Sequence, residues 1–383
     1  MKRFLALAVV VASLCSLRAQ APAQGRAVDW ERLRPEILER YRALVQIDTT
    51  AGHETLAVDY LKKVLEGEGI PTRTFALDPN RANLTARLKG NGSKRPLLIL
   101  AHTDVVGVQR DKWPVDPFGA VMKDGYVWGR GSKDDKPVLA ANLITMLMLK
   151  RLGVQLDRDV IFLAESGEEA DVTGVGINYM VREHFAEIEA EFAMTEGGGA
   201  RIDGARVIRV NIGTAEKLPA RVRLVANGTA GHGSVPRMDN ALIHSEAEAT
   251  LDIRALPDED VDRFYAEMAK EVADPAVKIV PLTQTRPPSP ASKLETEMYR
   301  VMEQVARTVY PGAAVLPSMS TGASDQAQLR AKGIQSYGIG PASTESDALN
   351  YPAHGDVERL AESSLYPFVQ YVWNVVTEVA AHK

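Results

Sequence analysis

Two short apolar runs that lead into metal-binding side chains constrain the fold of this chain more than any other feature. Residues 97–101 run into a His-Thr-Asp motif at 102–104, and residues 160–164 are followed by a pair of glutamates at 168–169. The first run shows no alternation of polar and apolar residues, as expected of a strand covered on both faces. An open α/β sheet carries its chemistry at the carboxyl ends of such strands. The pattern therefore predicts an α/β sheet with a candidate site along one edge.

The pattern between and after these runs predicts two structural units. A helix pattern at about residues 136–152 separates the two strands, so strands and helices alternate as in a mostly parallel, covered sheet. From about Gly213 the pattern changes, and residues 221–226 alternate as in a strand with one wet face. We therefore expect an α/β catalytic domain formed by residues 22–212 and 319–383. A smaller α+β unit of the ferredoxin-like type is expected between them, at residues 213–318.

The first residues indicate export. Lys2 and Arg3 precede an apolar run at residues 4–17, and small residues follow at 19–21. We interpret residues 1–21 as a cleaved signal peptide of a secreted or periplasmic protein, because a stable membrane span needs ~20 apolar residues. Cys15 raises the alternative of a lipoprotein, which is less favoured because a leucine precedes it where a small residue is expected.

The composition argues against nucleic-acid binding and against cysteine chemistry. The chain has 383 residues, a formal net charge of −5 and no basic cluster in the mature region, which argues against nucleic-acid binding. Its single cysteine, Cys15, would leave with the signal peptide. The mature protein would then contain no disulfide and no thiol nucleophile.

Several residue types that bind metals stand beside predicted strand ends or helix starts. Each also has a plain structural interpretation: a chance surface motif for His102 and Asp104, a helix cap for Asp134, and an acidic turn for the glutamate pair. Taken together, two histidines and at least three carboxylates suit zinc, with manganese or cobalt as alternatives. Five ligands with a shared carboxylate suit two metals about 3.5–4 Å apart. The candidates are His102, Asp104, Asp134, Glu168, Glu169, Glu196 and His354.

The ordered set of motifs resembles a known family. It is similar to the co-catalytic zinc family that includes aminoacylase, carboxypeptidase S, bacterial glutamate carboxypeptidase and succinyl-diaminopimelate desuccinylase. The resemblance covers nearly the whole mature chain. One departure is Pro137, where the family usually has glycine, at a helix position that tolerates proline. The resemblance rests on His-Thr-Asp at 102–104, Asp-Gly-Tyr-Val-Trp-Gly-Arg-Gly-Ser-Lys-Asp-Asp-Lys at 124–136, Ser-Gly-Glu-Glu at 166–169, Thr-Glu-Gly at 195–197, Gly-His-Gly-Ser-Val-Pro at 231–236, Asp-Ile-Arg at 252–254 and His-Gly at 354–355.

The resemblance implies a role for each candidate metal ligand. Asp134 would bridge two zinc ions, and the bond between Asp134 and Asp135 would be a cis peptide. His102 and Glu196 would complete one metal site, and Glu169 and His354 the other. Glu168 would be the general base, and Asp104 would orient His102.

The resemblance also assigns substrate contacts and an oligomeric state. His232 would stabilise an oxyanion in the active site of a partner subunit, and its structural alternative is a turn histidine. Arg254 would bind a free carboxylate of the substrate, and its alternative is a surface ion pair with Asp252. Gly322 and Ser324 would lie near that carboxylate. The inserted unit would act as a lid and as the dimerisation surface of a homodimer.

The function expected from these assignments is metal-dependent hydrolysis of an amide bond next to a residue with a free carboxylate. The substrate would be a small peptide cut by a carboxypeptidase or dipeptidase, or an N-acyl amino acid cut by an aminoacylase, and the sequence does not separate the two. A non-catalytic binding protein on the same scaffold is a remote alternative, because neither Glu168 nor any ligand is missing. A single-metal or phosphoester-cleaving enzyme is a third interpretation. A serine hydrolase is disfavoured because no Gly-x-Ser-x-Gly elbow follows a strand.

Overall fold

The structure is a computed structural model that describes residues 28–169, 174–232, 234–235, 246–284 and 286–382. The predicted signal peptide at residues 1–21 lies outside the described residues and stays a prediction. Within the described ranges, no helix combines the length and the apolar character that a membrane span requires.

Helices separate the strands at residues 97–102, 160–165 and 192–195, as predicted. The helices are α1 (Trp30–Val45), α2 (Thr55–Gly67), α3 (Lys136–Arg151), α4 (Ile177–Glu183), α5 (Phe185–Ile188), α6 (Val261–Val272), α7 (Glu297–Val309), α8 (Gln326–Ala331), α9 (Glu345–Asn350) and α10 (Glu362–Ala380). The strands are β1 (Thr72–Phe75), β2 (Asn83–Leu88), β3 (Leu97–His102), β4 (Val121–Lys123), β5 (Tyr126–Trp128), β6 (Val160–Glu165), β7 (Phe192–Thr195), β8 (Gly199–Asp203), β9 (Arg206–Glu216), β10 (Leu218–Pro219), β11 (Val222–Asn227), β12 (Glu246–Leu251), β13 (Arg254–Ala255), β14 (Val277–Pro281), β15 (Ala314–Ser320), β16 (Gln335–Gly338), β17 (Ala342–Thr344) and β18 (Arg359–Ala361).

One large sheet organises the main domain. Nine of its ten strands follow the order β1-β2-β6-β3-β7-β16-β9-β8-β17, and β15 pairs with β9. The four strands β6, β3, β7 and β16 pair in parallel at the centre of the sheet. The prediction of a mostly parallel central sheet is confirmed. A separate three-stranded sheet has the order β18-β5-β4.

The central strand β3 is covered on both faces, as its apolar run predicts. Leu97 and Ile99 pack into the larger core with α1, α3, α7 and α10. Leu98 and Leu100 face the other side and pack with α4 and Leu329 of α8. Successive side chains of a strand point to opposite faces, so a strand between two helical layers must be apolar throughout. The same packing explains α3, which is buried at every residue from 136 to 149.

The inserted unit is smaller than the sequence pattern predicts. Its three-stranded antiparallel sheet has the order β12-β11-β14, with α6 beside β14, and β10 pairs with β13. The expected range of 213–318 is wrong at its C-terminal end, because β15 pairs with β9 of the large sheet and α7 packs into the main core. Like β12 and β14 of the inserted unit, β15 is half-exposed, so its burial alone does not separate it from them.

Candidate metal centre

The predicted ligands converge because three parallel strands end at one edge of the sheet. His102 is the last residue of β3 and pairs in register with Glu165 at the end of β6. Glu196 directly follows β7, which also pairs in parallel with β3. The carboxyl ends of parallel strands lie side by side. The position of His102 and Glu196 at one edge is therefore a consequence of strand order.

Asp134 lies between two histidines. Its Oδ1 is 2.9 Å from His102 Nε2, and its Oδ2 is 3.3 Å from His354 Nε2. His354 Nε2 is also 2.6 Å from Glu169 Oε1. The peptide bond between Asp134 and Asp135 is cis, which confirms that prediction. One carboxylate thus presents one oxygen to each half of the cluster.

The donor atoms of the cluster fit a pair of metal ions. Donor atoms of His102, Asp134 and Glu169 all lie within 4.8 Å of one another, and so do those of His102, Glu168 and Glu196. Imidazole nitrogens and carboxylate oxygens are the mixed donor set that zinc accepts. A carboxylate with one oxygen towards each histidine has the geometry required of a bridging ligand. The residues present therefore fit a two-metal site.

Asp104 contacts both His102 and the loop that carries Glu168 and Glu169. His102 Nδ1 lies 3.0 Å from the backbone oxygen of Asp104 and 3.5 Å from its Oδ1. The carboxylate of Asp104 accepts hydrogen bonds from the backbone N–H groups of Gly167, Glu168 and Glu169 at 3.0, 3.2 and 3.0 Å. Burial raises the pKa of Asp104, but hydrogen bonding to His102 and to the loop outweighs it and holds the pKa below its ordinary value.

Burial and the proximity of like charges shift the proton affinities of the cluster. Burial raises the pKa of Glu168 to about 8, although Arg286 acts in the opposite direction. Burial also raises the pKa of Glu196, and the negative charge of Asp134 adds to this effect. Hydrogen bonds to Asp134 and Glu169 raise the pKa of His354 to about 10. A bound cation would lower the pKa of these carboxylates and would compete with protons for the histidines.

Glu358 is a buried residue that sequence reasoning missed. Its carboxylate accepts hydrogen bonds from Arg130 Nη1 at 2.7 Å and from the backbone N–H groups of Gly131 and Lys133 at 3.2 and 2.6 Å. Arg130 Nη2 in turn donates to the backbone oxygen of Gly355 at 2.7 Å. This buried ion pair ties the loop of Asp134 to the loop of His354. The Gly-Arg-Gly motif at 129–131 indicated a role for Arg130, but no local motif indicated one for Glu358.

A second tie fixes the loop that carries His354. Lys133 Nζ donates to the backbone oxygens of Asp347 and Tyr351 at 2.7 and 2.6 Å. Arg359 donates to Asp347 Oδ1 at 2.8 Å through Nη2, and its guanidinium lies 3.8 Å from the ring centre of Tyr126 and 3.7 Å from that of Tyr351. The loop is therefore held by charge and by stacking on both sides.

The residues expected to contact substrate form hydrogen bonds or ion pairs with other residues of the chain. His232 is exposed, with Nδ1 2.7 Å from Ser234 Oγ. Arg254 forms a two-point ion pair with Asp252 at 2.9 and 3.1 Å, the contact named as its structural alternative. The Ser324 hydroxyl donates to Glu216 Oε2 at 2.6 Å, and the Gly322 N–H donates to Ser320 Oγ at 3.0 Å. The substrate roles of His232, Arg254, Gly322 and Ser324 stay predictions.

The fold and the donor set define an α/β protein with a site for two metals at its strand ends. Residues 98–378 match the model of peptidase family M20/M25/M40, and the chain belongs to this family. A probable succinyl-diaminopimelate desuccinylase from Staphylococcus epidermidis is 30% identical over 197 residues, which are 51% of this chain and 45% of that protein. The chain thus matches about half the length of such curated relatives.

Solved structures of the family share the fold over almost the whole chain. An M20 family metallo-carboxypeptidase from Sulfolobus solfataricus matches with a TM-score of 0.70 at 16% identity, covering 89% of this chain and 98% of that one. A dinuclear metal-binding M20 family peptidase from Bacillus subtilis matches with a TM-score of 0.63 at 14% identity, covering 91% and 99%. At these identities the likeness demonstrates the fold alone.

Proposed function

We propose that this protein is a two-zinc hydrolase that cleaves an amide bond next to a residue with a free carboxylate. The observation that carries the proposal is the geometry of Asp134, whose two oxygens face His102 and His354 while the buried Glu168 lies within the same cluster. Membership of a peptidase family and the dinuclear metal-binding relative support it.

The ligands divide into two sets that share Asp134. His102 and Glu196 would hold one ion, and Glu169 and His354 the other. Zinc is proposed for both positions, and cobalt or manganese would accept the same donors. The bound metals would lower the pKa of a coordinated water towards ~7 and polarise the amide carbonyl.

Glu168 is proposed as the proton carrier. Its carboxylate would accept a proton from the attacking water and then deliver that proton to the leaving nitrogen. Without metal, burial raises the pKa of this group to about 8; bound cations would lower it, so that the ionised carboxylate can accept the first proton near neutral pH. Asp104 supports this role because it binds the N–H of Glu168 and of both neighbouring residues.

A small peptide is the first proposed substrate. Arg254 would bind its free carboxylate through a guanidinium fork, as it binds Asp252 here. A cleft of about 230 Å³ beside Asp134 and Glu196 is large enough for a small side chain, and part of its wall is formed by Gly198, Ile339 and Leu360. Gly322 and Ser324 would lie near the carboxylate, and His232 would reach the oxyanion in a partner subunit. The product would be an amino acid, as for a carboxypeptidase or dipeptidase.

An N-acyl amino acid is the second candidate substrate. It is favoured by relatives such as the probable succinyl-diaminopimelate desuccinylase from Staphylococcus epidermidis. A panel of dipeptides and N-acetyl or N-succinyl amino acids, given to the zinc-loaded protein that begins after residue 21, separates the two candidates. Preference is read as the ratio of kcat/KM values.

The proposal predicts that Glu168→Gln retains two zinc ions per chain and loses most turnover, because a general acid–base contributes about 10²–10⁴ to the rate. Glu183→Gln, at an exposed glutamate of α4, is the matched control and should keep the activity of the parent. Near-normal turnover in Glu168→Gln would contradict the mechanism.

Export and dimerisation are further proposals. N-terminal sequencing of protein recovered from the periplasm or the medium tests cleavage near residue 21. Sedimentation tests the homodimer proposed to form through the inserted unit, and a monomer at all concentrations would exclude a partner's His232 from the site.

A further inference from the structure

A buried arginine outside the predicted site contacts the proposed general base. Arg286 Nη2 donates to Glu168 Oε1 at 2.5 Å and to the backbone oxygen of Glu168 at 3.2 Å. Its Nη1 lies 3.5 Å from Asp325 Oδ1, and the side chains of Arg286, Glu168 and Asp325 are only 9%, 8% and 6% exposed. Charge-assisted bonds of a guanidinium to a buried carboxylate are strong and directional.

Arg286 stands on the segment that returns the chain from the inserted unit to the main domain. On one side, the N–H of Leu282 donates to the backbone oxygen of Arg221, next to β11 of the inserted unit. On the other side, the N–H of Ser292 donates to Thr214 of β9 in the large sheet. Arg286 therefore lies between an attachment to the inserted unit and an attachment to the sheet.

Glu168 is held from two directions as a result. Asp104 accepts the N–H of Glu168 from within the main domain. Arg286 binds its carboxylate and its carbonyl from the returning segment. A proton carrier must keep its carboxylate within hydrogen-bond reach of both water and leaving group, so the orientation of the side chain limits the rate.

We propose that Arg286 is the positioning residue for the Glu168 side chain. Because Arg286 stands on the returning segment, the orientation of this base depends on the position of the inserted unit. The inference rests on the proposed function, because it takes Glu168 as the proton carrier. Arg286 acts through Glu168 and needs no contact with the substrate.

The competing interpretation is that Arg286 only neutralises buried acids. Arg158 is the control for the loss of a buried guanidinium, because its side chain is 1% exposed and pairs with the partly exposed Glu191 and Glu297 at 2.9 and 2.8 Å. It precedes β6, whereas Glu168 follows β6, so it lies at the opposite end of the strand. Loss of either arginine removes a buried guanidinium and its two ion pairs, but only Arg286 touches the base.

The experiment uses the zinc-loaded enzyme and the variants Arg286→Ala, Arg286→Lys and Arg158→Ala. Arg286→Ala should keep two zinc ions and lose kcat by about 10²-fold with KM changed less than threefold, since misplaced acid–base catalysis costs that order. Arg286→Lys should recover part of the loss, because an ammonium restores one of the contacts. Millimolar guanidinium should raise kcat of Arg286→Ala and leave that of Arg158→Ala unchanged.

A second measurement does not depend on activity. In the metal-free protein, the melting temperature of the Arg286→Ala/Glu168→Gln double variant should fall by less than the sum of the two single losses, because the pair is coupled. Additive losses, a kcat of folded Arg286→Ala that stays within twofold of the parent, or an Arg286→Lys no faster than Arg286→Ala would overturn the inference.

The failure of this inference differs from failure of the proposed function. A parent with no amide hydrolysis, or an active Glu168→Gln, would remove the proposed function itself. An active parent with an inactive Glu168→Gln and a normal Arg286→Ala would leave the function in place and remove only the role of Arg286.

Discussion

Replacement of Asp104 by asparagine tests how the glutamate loop is built. Asp104 is 1% exposed, and its two oxygens accept three backbone N–H groups. Asparagine keeps one oxygen, which can still accept from Gly167 and Glu168. Its amide group would replace Oδ2 and face the N–H of Glu169, donor against donor. Two buried donors would then lack an acceptor.

The expected cost follows from that count. Each unsatisfied buried donor costs about 1–3 kcal/mol, so the two donors predict a loss of about 2–6 kcal/mol in the free energy of unfolding. The displaced loop carries Glu169, a proposed ligand. Loss of a residue that orients ligands typically lowers metal affinity by about 10–100-fold.

Urea denaturation of the metal-free protein measures the first effect, and zinc titration against a competing chelator measures the second. Asp159→Asn is the matched control, because Asp159 also accepts a backbone N–H, from Gly90 at 2.9 Å, but lies before β6 and away from the cluster. It should lower stability by about 1 kcal/mol and leave zinc affinity unchanged. Asp104→Asn with stability within about 0.5 kcal/mol of the parent and unchanged zinc affinity would refute this reasoning.

Three further changes probe the loops around the site. Glu358→Gln leaves the buried Arg130 without its ion-pair partner, so urea denaturation should show a loss of about 3–5 kcal/mol, and a loss under 1 kcal/mol would contradict the tie between the two loops. Burial raises the pKa of Asp347, but the bonds from Arg359 and Thr344 outweigh it and hold the pKa below its usual value, so the ionised group stabilises the fold above about pH 4. The difference in unfolding free energy between the parent and Asp347→Asn should therefore shrink as the pH falls through the lower, folded-state pKa, and a difference independent of pH would count against it. Gly198→Ala would place a Cβ 2.3 Å from the backbone oxygen of Gly338 and should lower the melting temperature by several degrees, whereas Gly67→Ala, with no atom within 4 Å of its Cβ, should leave it equal or higher.

The strand ends of the site could be predicted from sequence because the information is local. An apolar run that does not alternate must be covered on both faces, and parallel strands bring their carboxyl ends to one edge. His102 and Glu196 were placed correctly for this reason. Asp134 and His354 required the resemblance to a family, because a glycine-rich loop and a loop before a helix carry no periodic signal.

The contacts that hold the site together could not be predicted in the same way. Glu358 reaches the loop of Asp134 from more than 200 positions away, and Arg286 reaches Glu168 over more than 100. Such pairs depend on the packed tertiary structure and leave no pattern in either segment. The boundary of the inserted unit failed for a related reason, since β15 is half-exposed like the inserted strands and only its pairing with β9 assigns it to the main sheet.

Asp134 is proposed to be shared between two metal ions. The most direct test is metal content after dialysis, measured by elemental analysis on the zinc-loaded parent and on Asp134→Ala, with circular dichroism to verify folding. We expect two zinc ions per chain in the parent and one or none, weakly held, in the variant. A folded Asp134→Ala that retains two zinc ions with the affinity of the parent would contradict it.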